Sequence, residues 1–410
     1  MKRRSWAVLS TLLVLGACTD LGEQATPHAV LAPPPPPPGP PRVALLLPLS
    51  GPKADIGQAM LKGAQLALSA PGAPGLDIKD TAGDPARAAS AAQEAIAAGD
   101  RMILGPLTAD ETATVAPVAQ SASVPVLAFT SDPMAAAPGV WTLGLTPGQQ
   151  MRRLVAAARD DGRQHLAAVL PQGALGDALQ CALAQASSEA GMEAPLIERT
   201  EPGLAGFTEG LKTISNYSAR RGAVEARIKA LREETDPAAR AQAAELAAKP
   251  VDPPPFDALL VGETGDNLLQ VADILPAYDA TGPAVRVLGP ALWAQQAGRL
   301  GKLSGAWYAA LDPAARAPFV DAYEAKYGAP PLPFADYAFD AAAIAGVLMQ
   351  SGDTSSAAIT RSEGFTGVDG AMLLLPDGHV HRALAIYQIN REGGARIVSP
   401  APQDVSLPGS

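Results

Sequence analysis

Residues 42–51 read Arg-Val-Ala-Leu-Leu-Leu-Pro-Leu-Ser-Gly and decide the fold class. The consecutive apolar residues predict a strand buried on both faces, and the proline, serine and glycine predict the turn that ends it. The next stretch places apolar or small residues at helical spacings, at Ile56, Met60, Gly63 and Ala67. A buried strand followed by an amphipathic helix is the unit of a parallel sheet covered by helices.

The same alternation of short apolar runs and helix-like stretches continues to about residue 290. It predicts strands near residues 76–79, 102–104, 124–129, 166–170, 196–199, 258–261 and 285–288. About 370 residues are too many for one sheet, so we predict an α/β fold of two lobes, each with a mostly parallel sheet covered by helices. Lobe 1 is assigned residues 42–146 and about 311–365. Lobe 2 is assigned about 147–310 and 366–395, and 396–410 form a C-terminal tail.

Two segments depart from this alternation. Ala371–Leu375 and Leu384–Ile389, joined through Pro376-Asp377-Gly378, predict an antiparallel hairpin. Residues from about 208 to 255 are charged and alanine-rich, and predict a helical insertion in lobe 2. Val224, Ile228 and Leu231 form a narrow apolar stripe on it. The stripe packs the hairpin on its own lobe or docks a partner protein.

The first forty-one residues predict export and a lipid anchor. Residues 1–17 have a basic start and an apolar run too short to span a membrane, which is typical of a signal peptide. They end in Leu-Gly-Ala before Cys18, which resembles the lipobox of bacterial lipoproteins, where the cysteine is lipidated. Thr19, rather than aspartate, follows that cysteine, which favours the outer membrane. Residues 18–41 contain Pro33–Pro38 and predict a polyproline spacer, with a proline-rich recognition motif as the alternative.

Charge and composition exclude several classes of function. Removing residues 1–17 removes three positive charges, so the net charge goes from −10 to −10 − 3 = −13, which argues against nucleic-acid binding. Cys181 is then the only thiol besides Cys18, and we predict that it is buried in a helix. No motif of a hydrolase, nucleotide-binding loop or zinc enzyme is present, so no enzyme, cofactor or metal site is predicted.

Several motifs resemble the type I periplasmic binding domains of the leucine-binding kind. They are the opening residues 42–51, the helix Gly57–Leu68, Asp84-Pro85, Ile103-Leu104-Gly105-Pro106 and Val124-Pro125-Val126-Leu127. Within that superfamily, Leu-Leu-Leu-Pro-Leu-Ser-Gly and Gly-Pro-Leu look most like the lipoprotein activators of penicillin-binding proteins. The resemblance implies a two-lobed fold over residues 42–395. It also implies contact with a bifunctional penicillin-binding protein, a peptidoglycan synthase.

The resemblance also implies a ligand cleft at the carboxyl ends of the strands. Its candidate residues are Ser50, Gly51, Leu107, Thr108, Thr130, Ser131 and Glu263. Thr130 and Ser131 match the position where amino-acid receptors hold the ligand carboxylate. Leu175 stands where those receptors carry an aromatic residue, and Leu107-Thr108 replaces a serine pair. The hydroxyl groups bind a small molecule or only cap helices and turns.

These observations predict a lipid-anchored periplasmic lipoprotein that activates a peptidoglycan synthase by protein–protein contact. The alternative is a solute-binding receptor of an ABC importer for amino acids or related small acids. Under the first prediction Val224, Ile228 and Leu231 dock the synthase. Under the second, the cleft residues hold the ligand.

Overall fold

Two large sheets flanked by helices, together with one small sheet, make up the computed structural model, which describes residues 41–249, 251–403 and 405. The predicted signal peptide, Cys18 and nearly all of the predicted spacer lie outside the described residues. Within the described residues, no helix combines the length and the apolar character needed to cross a membrane.

Lobe 1 is built on a parallel sheet of five strands. In chain order these are β1 (Arg42–Leu47), β2 (Gly75–Asp80), β3 (Ile103–Leu104), β4 (Val126–Ala128) and β5 (Val140–Thr142). Their order across the sheet is β2-β1-β3-β4-β5. Helices α1 (Ala54–Ala67), α2 (Pro85–Ala97) and α3 (Ala109–Ser121) connect the first four strands. Val43 to Leu47 are fully buried, as a strand covered on both faces requires.

Lobe 2 follows with a sheet of seven strands. In chain order, its parallel part contains α4 (Pro147–Asp160), β6 (Leu166–Pro171), α5 (Ala174–Glu189), β7 (Leu196–Thr200), α6 (Leu204–Ile214), two inserted helices α7 (Ala223–Glu233) and α8 (Pro237–Ala248), β8 (Ala258–Val261), α9 (Gly265–Val271), β9 (Arg286–Gly289) and β10 (Trp307–Ala310). Two antiparallel strands, β14 (Ala385–Ile389) and β15 (Ala395–Ser399), extend the sheet. The order across it is β15-β14-β10-β9-β8-β6-β7.

The helical insertion is shorter than predicted. It consists of a π-helical turn (Ser218–Gly222), α7 (Ala223–Glu233) and α8 (Pro237–Ala248). The assigned start near residue 208 is wrong, because residues 208–214 belong to α6. That helix buries Phe207, Leu211 and Ile214 in the core of lobe 2 and is part of the basic fold.

After β10 the chain returns to lobe 1. It forms α10 (Pro313–Tyr327), α11 (Ala335–Ser351), α12 (Ser356–Ile359) and a small antiparallel sheet of β11 (Phe365–Gly367), β12 (Gly370–Leu374) and β13 (Val380–Arg382). Two strands of lobe 2 end the fold, β14 (Ala385–Ile389) and β15 (Ala395–Ser399). Helix α11 approaches α1 so closely that a Cβ added to Gly63 would lie 2.1 Å from the carbonyl oxygen of Ala335.

The predicted C-terminal hairpin is wrong in its pairing. Strand β12 pairs with β13, whereas β14 pairs with β10 in the other lobe. Phe365, Met372, Leu374 and Val380 pack in the core of lobe 1, so residues 366–382 lie with lobe 1 rather than lobe 2. Residues 396–399, assigned to a tail, complete β15 and pair with β14. The chain therefore crosses between the lobes three times, at residues 143–146, 311–312 and 383–384.

Cys181 contradicts its predicted burial. It lies in α5 but is exposed, because the buried face of that helix is formed by Leu179, Ala182, Leu183 and Ala186. Successive residues of a helix are rotated by about 100°, so the neighbour of a buried residue can lie on the solvent side, as the thiol of Cys181 does.

Candidate functional site

A cavity of about 630 Å³ lies between the two lobes, at the carboxyl ends of β4 and β9 and the amino end of α5. Its volume is within the range of small-molecule sites. The first crossing segment and the start of α11 complete its wall. The larger apolar residues of the lining are Phe129, Pro133, Leu145, Leu175, Leu179, Pro290, Leu292, Phe334 and Tyr337.

The polar groups of this cleft are few and nearly all uncharged. Thr130, Ser131, Gln150 and Gln295 line it, and Asp132 is the only charged residue of the lining. The hydroxyl oxygen of Thr130 already accepts a hydrogen bond from the amide of Asp132, at 3.1 Å. Gln150 accepts one from the amide of Ala291, at 2.8 Å. The lining therefore offers no cationic side chain to balance a ligand carboxylate.

Of the predicted cleft residues, Thr130 and Ser131 line the cavity, while Ser50 and Gly51 do not. Leu175, the departure from the aromatic residue of amino-acid receptors, also lines it. The Ser50 hydroxyl donates to Asp80 at 2.6 Å, and the amides of Leu49 and Ala82 donate to the same carboxylate. Burial opposes ionisation of Asp80, but these hydrogen bonds hold its pKa below the usual value. The serine thus orders the turn after β1.

Thr108, Leu107 and Glu263 are also outside the lining. Thr108 caps α3 in a reciprocal arrangement with Glu111, whose buried carboxylate also accepts a hydrogen bond from the hydroxyl of Thr81. Leu107 packs in the core of lobe 1. Glu263 is 3% exposed and its carboxylate accepts from the amide of Gly203 at 3.3 Å. These three residues have structural partners in place of a ligand.

Aromatic residues that the sequence reasoning missed supply much of the cleft. Phe334 and Tyr337 come from the start of α11, about two hundred residues after Thr130 in the chain. Phe334 has a φ of +72°, in the left-handed region that a bulky residue rarely adopts. Such strained conformations concentrate at functional sites. The one local feature that could have indicated a role for these aromatic residues is the sequence Leu332-Pro333-Phe334, which precedes a long apolar helix.

Exposed apolar side chains surround the mouth of the cleft. Met134, next to the lining residue Pro133, is 88% exposed. Leu292 and Phe334 are lining residues that remain 45% and 39% exposed, and Leu332 is 50% exposed. Exposed apolar groups of this size around a concave site are typical of ligand or protein binding.

A buried cluster of charges lies where the chain crosses between the lobes for the third time. Arg382, the last residue of β13, is 3.5 Å from the carboxylate of Asp340 in α11, and the side chains are 1% and 0% exposed. Asp336 and Asp369 are buried beside them, with Arg316 of α10 at 2.8 Å from Asp336. Burial raises the pKa of Asp340 to about 6, although the charge of Arg382 lowers it. Burial and the neighbouring Asp336 raise the pKa of Asp369.

Residues 40–395 match the family model described as periplasmic binding protein. The chain belongs to the periplasmic binding protein family. A putative branched-chain amino acid ABC transporter protein from Rhodospirillum rubrum superposes with a TM-score of 0.66 at 19% identity, over 87% of this chain and 99% of that one. The C-domain of LpoA from Haemophilus influenzae, a regulator of PBP1A, gives 0.60 at 17% identity, over 87% and 99%.

A leucine-binding protein from Thermotoga maritima is similar at a TM-score of 0.53 and 16% identity, over 89% of this chain and all of that one. Full-length LpoA is covered over 59% of its length. Among curated proteins, none matches the chain in sequence. At these identities the likeness shows the two-lobed fold, and the predicted fold class is confirmed.

In this periplasmic binding protein, the inserted hairpin of α7 and α8 is clamped to lobe 2 at its base. Arg220, whose side chain is 7% exposed, forms an ion pair with Asp279 at 3.2 Å. It also donates to the carbonyl oxygens of Ser215 and Asp252, each at 2.6 Å. The Tyr217 ring packs on that of Tyr278 with centroids 4.7 Å apart. Charge-assisted bonds from this largely buried guanidinium give the hairpin a defined orientation.

Proposed function

We propose that this protein is a lipid-anchored regulator that activates a peptidoglycan synthase, a bifunctional penicillin-binding protein, by direct contact. The observation that carries the proposal is the clamped hairpin of α7 and α8. The sheet of lobe 2 needs only a connection from α6 to β8, so two additional helices held in a defined orientation point to a surface for a protein partner.

The cleft supports the same choice. Of the seven residues predicted to hold a ligand, only Thr130 and Ser131 reach the lining, and Asp132 is its only charged residue, so the cleft offers few polar groups to a free amino acid. LpoA, one of the similar structures, is a regulator of PBP1A. A regulator needs the scaffold of the fold and not its amino-acid recognition.

The anchor is part of the proposal. Cys18 carries the lipid, and the proline-rich spacer that follows holds the domain away from an outer membrane. Incorporation of labelled palmitate by growing cells tests this. The Cys18→Ser variant should take up no label and should leave the membrane fraction. Equal labelling of the variant and the wild type would show that Cys18 is not the lipidated residue.

Affinity purification from crosslinked cell envelopes tests the contact. The full-length protein should recover a bifunctional penicillin-binding protein, identified by mass spectrometry. A variant in which a Gly-Ser linker replaces Asn216–Lys249 should lose it, whereas Leu175→Asp in the cleft should retain it. Recovery of ABC permease subunits without any synthase would contradict the proposal.

A second candidate is a solute-binding receptor of an ABC importer for amino acids or related small acids. The cavity of about 630 Å³ with its apolar rim favours it. In such a receptor the apolar lining would hold the body of the ligand, and Thr130 and Ser131 its polar end. A ligand at a hundredfold excess over Kd stabilises a protein by about 2.7 kcal/mol, so a thermal-shift screen of amino acids and aromatic acids would reveal it. Leu175→Asp should abolish any shift.

A further inference from the structure

The three residues of the predicted docking stripe, Val224, Ile228 and Leu231, do not share one exposed surface in the structure. Leu231 is 2% exposed and packs with Ala239 and Ala243 between α7 and α8. It holds the hairpin together and has no surface left for a partner. Val224 and Ile228 are only partly buried and line a groove of about 650 Å³ along the hairpin.

This groove has an apolar floor and a basic rim. Leu246 and Val251 continue the floor, and both are partly exposed. Four basic and two acidic residues line the groove, which gives it a net charge of +4 − 2 = +2. The protein as a whole carries −10, so the groove is opposite in sign to the rest of the molecule.

The basic residues differ in how far they are already neutralised. Arg221 pairs with Glu225 at 3.2 Å and with Asp279 at 3.0 Å, and Lys249 lies 3.6 Å from Glu245. Among the described residues, Lys229 and Arg232 form no ion pair within 4.0 Å. They lie three positions apart on α7, on one side of the groove. Glu233, on the same side of the groove, also forms no ion pair among the described residues, so the two cations outnumber the nearby carboxylate. Such a rim beside an apolar floor is complementary to a segment with carboxylates beside an apolar stripe.

We propose that the groove of α7 and α8 binds an acidic amphipathic helix of a partner protein. The inference rests on the proposed function for the identity of that partner, and it names the part of the partner that docks. The apolar stripe of the helix covers Val224, Ile228 and Leu246, as in other helix-in-groove complexes. Its carboxylates face Lys229 and Arg232, and this pairing sets the specificity and orientation of docking more than its strength.

The test uses a labelled model peptide of about 18 residues, five turns of helix, with a leucine stripe and glutamates on the flanking positions. A peptide with lysine at every glutamate position is the counterpart. The mature chain from residue 18 with Cys18→Ser needs no detergent, and binding is followed by fluorescence anisotropy. The acidic peptide should bind and the basic peptide should bind at least about tenfold more weakly.

Charge reversal at the rim then locates the site. Lys229→Glu with Arg232→Glu should weaken binding of the acidic peptide at least about tenfold and strengthen that of the basic one. Arg227→Glu with Arg240→Glu is the matched control, because both residues are exposed on the same hairpin but are not part of the groove. Lys229→Gln with Arg232→Gln removes the two charges without reversing them, so it should weaken binding less than the glutamate variant. Circular dichroism of each variant checks that it is folded.

Equal binding of both peptides, or a control variant that weakens binding as much as the rim variant, would overturn the groove assignment. This peptide experiment does not depend on whether the partner is a peptidoglycan synthase. Peptide binding at the groove without recovery of a penicillin-binding protein would leave the inference standing and remove the proposed partner. Recovery of the synthase by the rim variant at the wild-type level would place docking elsewhere on the protein.

Discussion

Replacing Arg382 by methionine removes one partner of the buried ion pair at the third crossing between the lobes. Asp340 is then left with the amide of Val368, at 2.7 Å, and no cation at the position of Arg382. Both side chains of the pair are almost completely buried, so water cannot replace the arginine. Removing one partner of such a pair destabilises a protein by about 3–5 kcal/mol, which is the loss expected at neutral pH.

The loss should depend on pH, because Asp340 can bind a proton. Burial raises its pKa to about 6, and the charge of Arg382 counteracts this rise. Without Arg382 the pKa rises further. A carboxyl with a raised folded-state pKa contributes stability at low pH that is lost as the pH rises through that pKa. The loss at pH 7.5 should therefore exceed the loss at pH 5, by up to about 1.4 kcal/mol for each unit by which the substitution raises the pKa within that pH range.

Urea unfolding at pH 5 and pH 7.5, followed by circular dichroism and tryptophan fluorescence, measures both losses. Arg382→Met with Asp340→Asn should recover part of the stability at pH 7.5, because Asp340 no longer carries a buried charge, while Asp369 keeps only the more distant Arg316 at 3.9 Å. Arg396→Met, at an exposed position of β15, is the control and should change stability by less than about 0.5 kcal/mol. A loss for Arg382→Met below about 1 kcal/mol, or an equal loss at both pH values, would show that Arg382 does not stabilise a buried charge on Asp340.

Three further predictions concern other parts of the fold. Gly289→Ala should destabilise the protein in urea by about 1–3 kcal/mol, because its Cβ would lie 2.2 Å from the buried Trp293 ring, whereas Gly298→Ala, with no atom within 4 Å, should be close to neutral. Cys181 should react completely with a maleimide in the folded protein; protection of the thiol would show that α5 is rotated. Asp80→Asn should destabilise the protein at neutral pH, and the difference should shrink below about pH 4, because a lowered pKa contributes stability that is lost as the pH falls.

The strand and helix alternation was predictable because it is local. Strand β1 and helix α1 follow directly from the apolar run and the spacing that begins at Arg42. The pairing of the C-terminal strands could not be predicted in the same way, because residues 379–389 contain no turn residue where β13 ends and β14 begins. The chain passes from one sheet to the other in nearly extended form, so the prediction missed β13 and paired β12 with the next apolar strand, β14.

The cleft was predictable only in part, for a similar reason. Thr130 and Ser131 follow a strand and their position depends on local sequence. Phe334 and Tyr337 reach the same cavity through tertiary packing of α11 on lobe 1, which leaves no local pattern. Ser50, Thr108 and Glu263 were assigned to the cleft because polar residues after strands often face it. In each case a nearby backbone amide or carboxylate is the partner instead.

The most direct test of the account is the activity of a purified bifunctional penicillin-binding protein from the same organism. Its rate of glycan polymerisation and crosslinking from lipid-linked precursor would be measured with and without the full-length protein. We expect a faster reaction with the protein, and a return to the basal rate when the linker variant lacking Asn216–Lys249 is used. An unchanged rate with the correctly folded protein would contradict the proposed function.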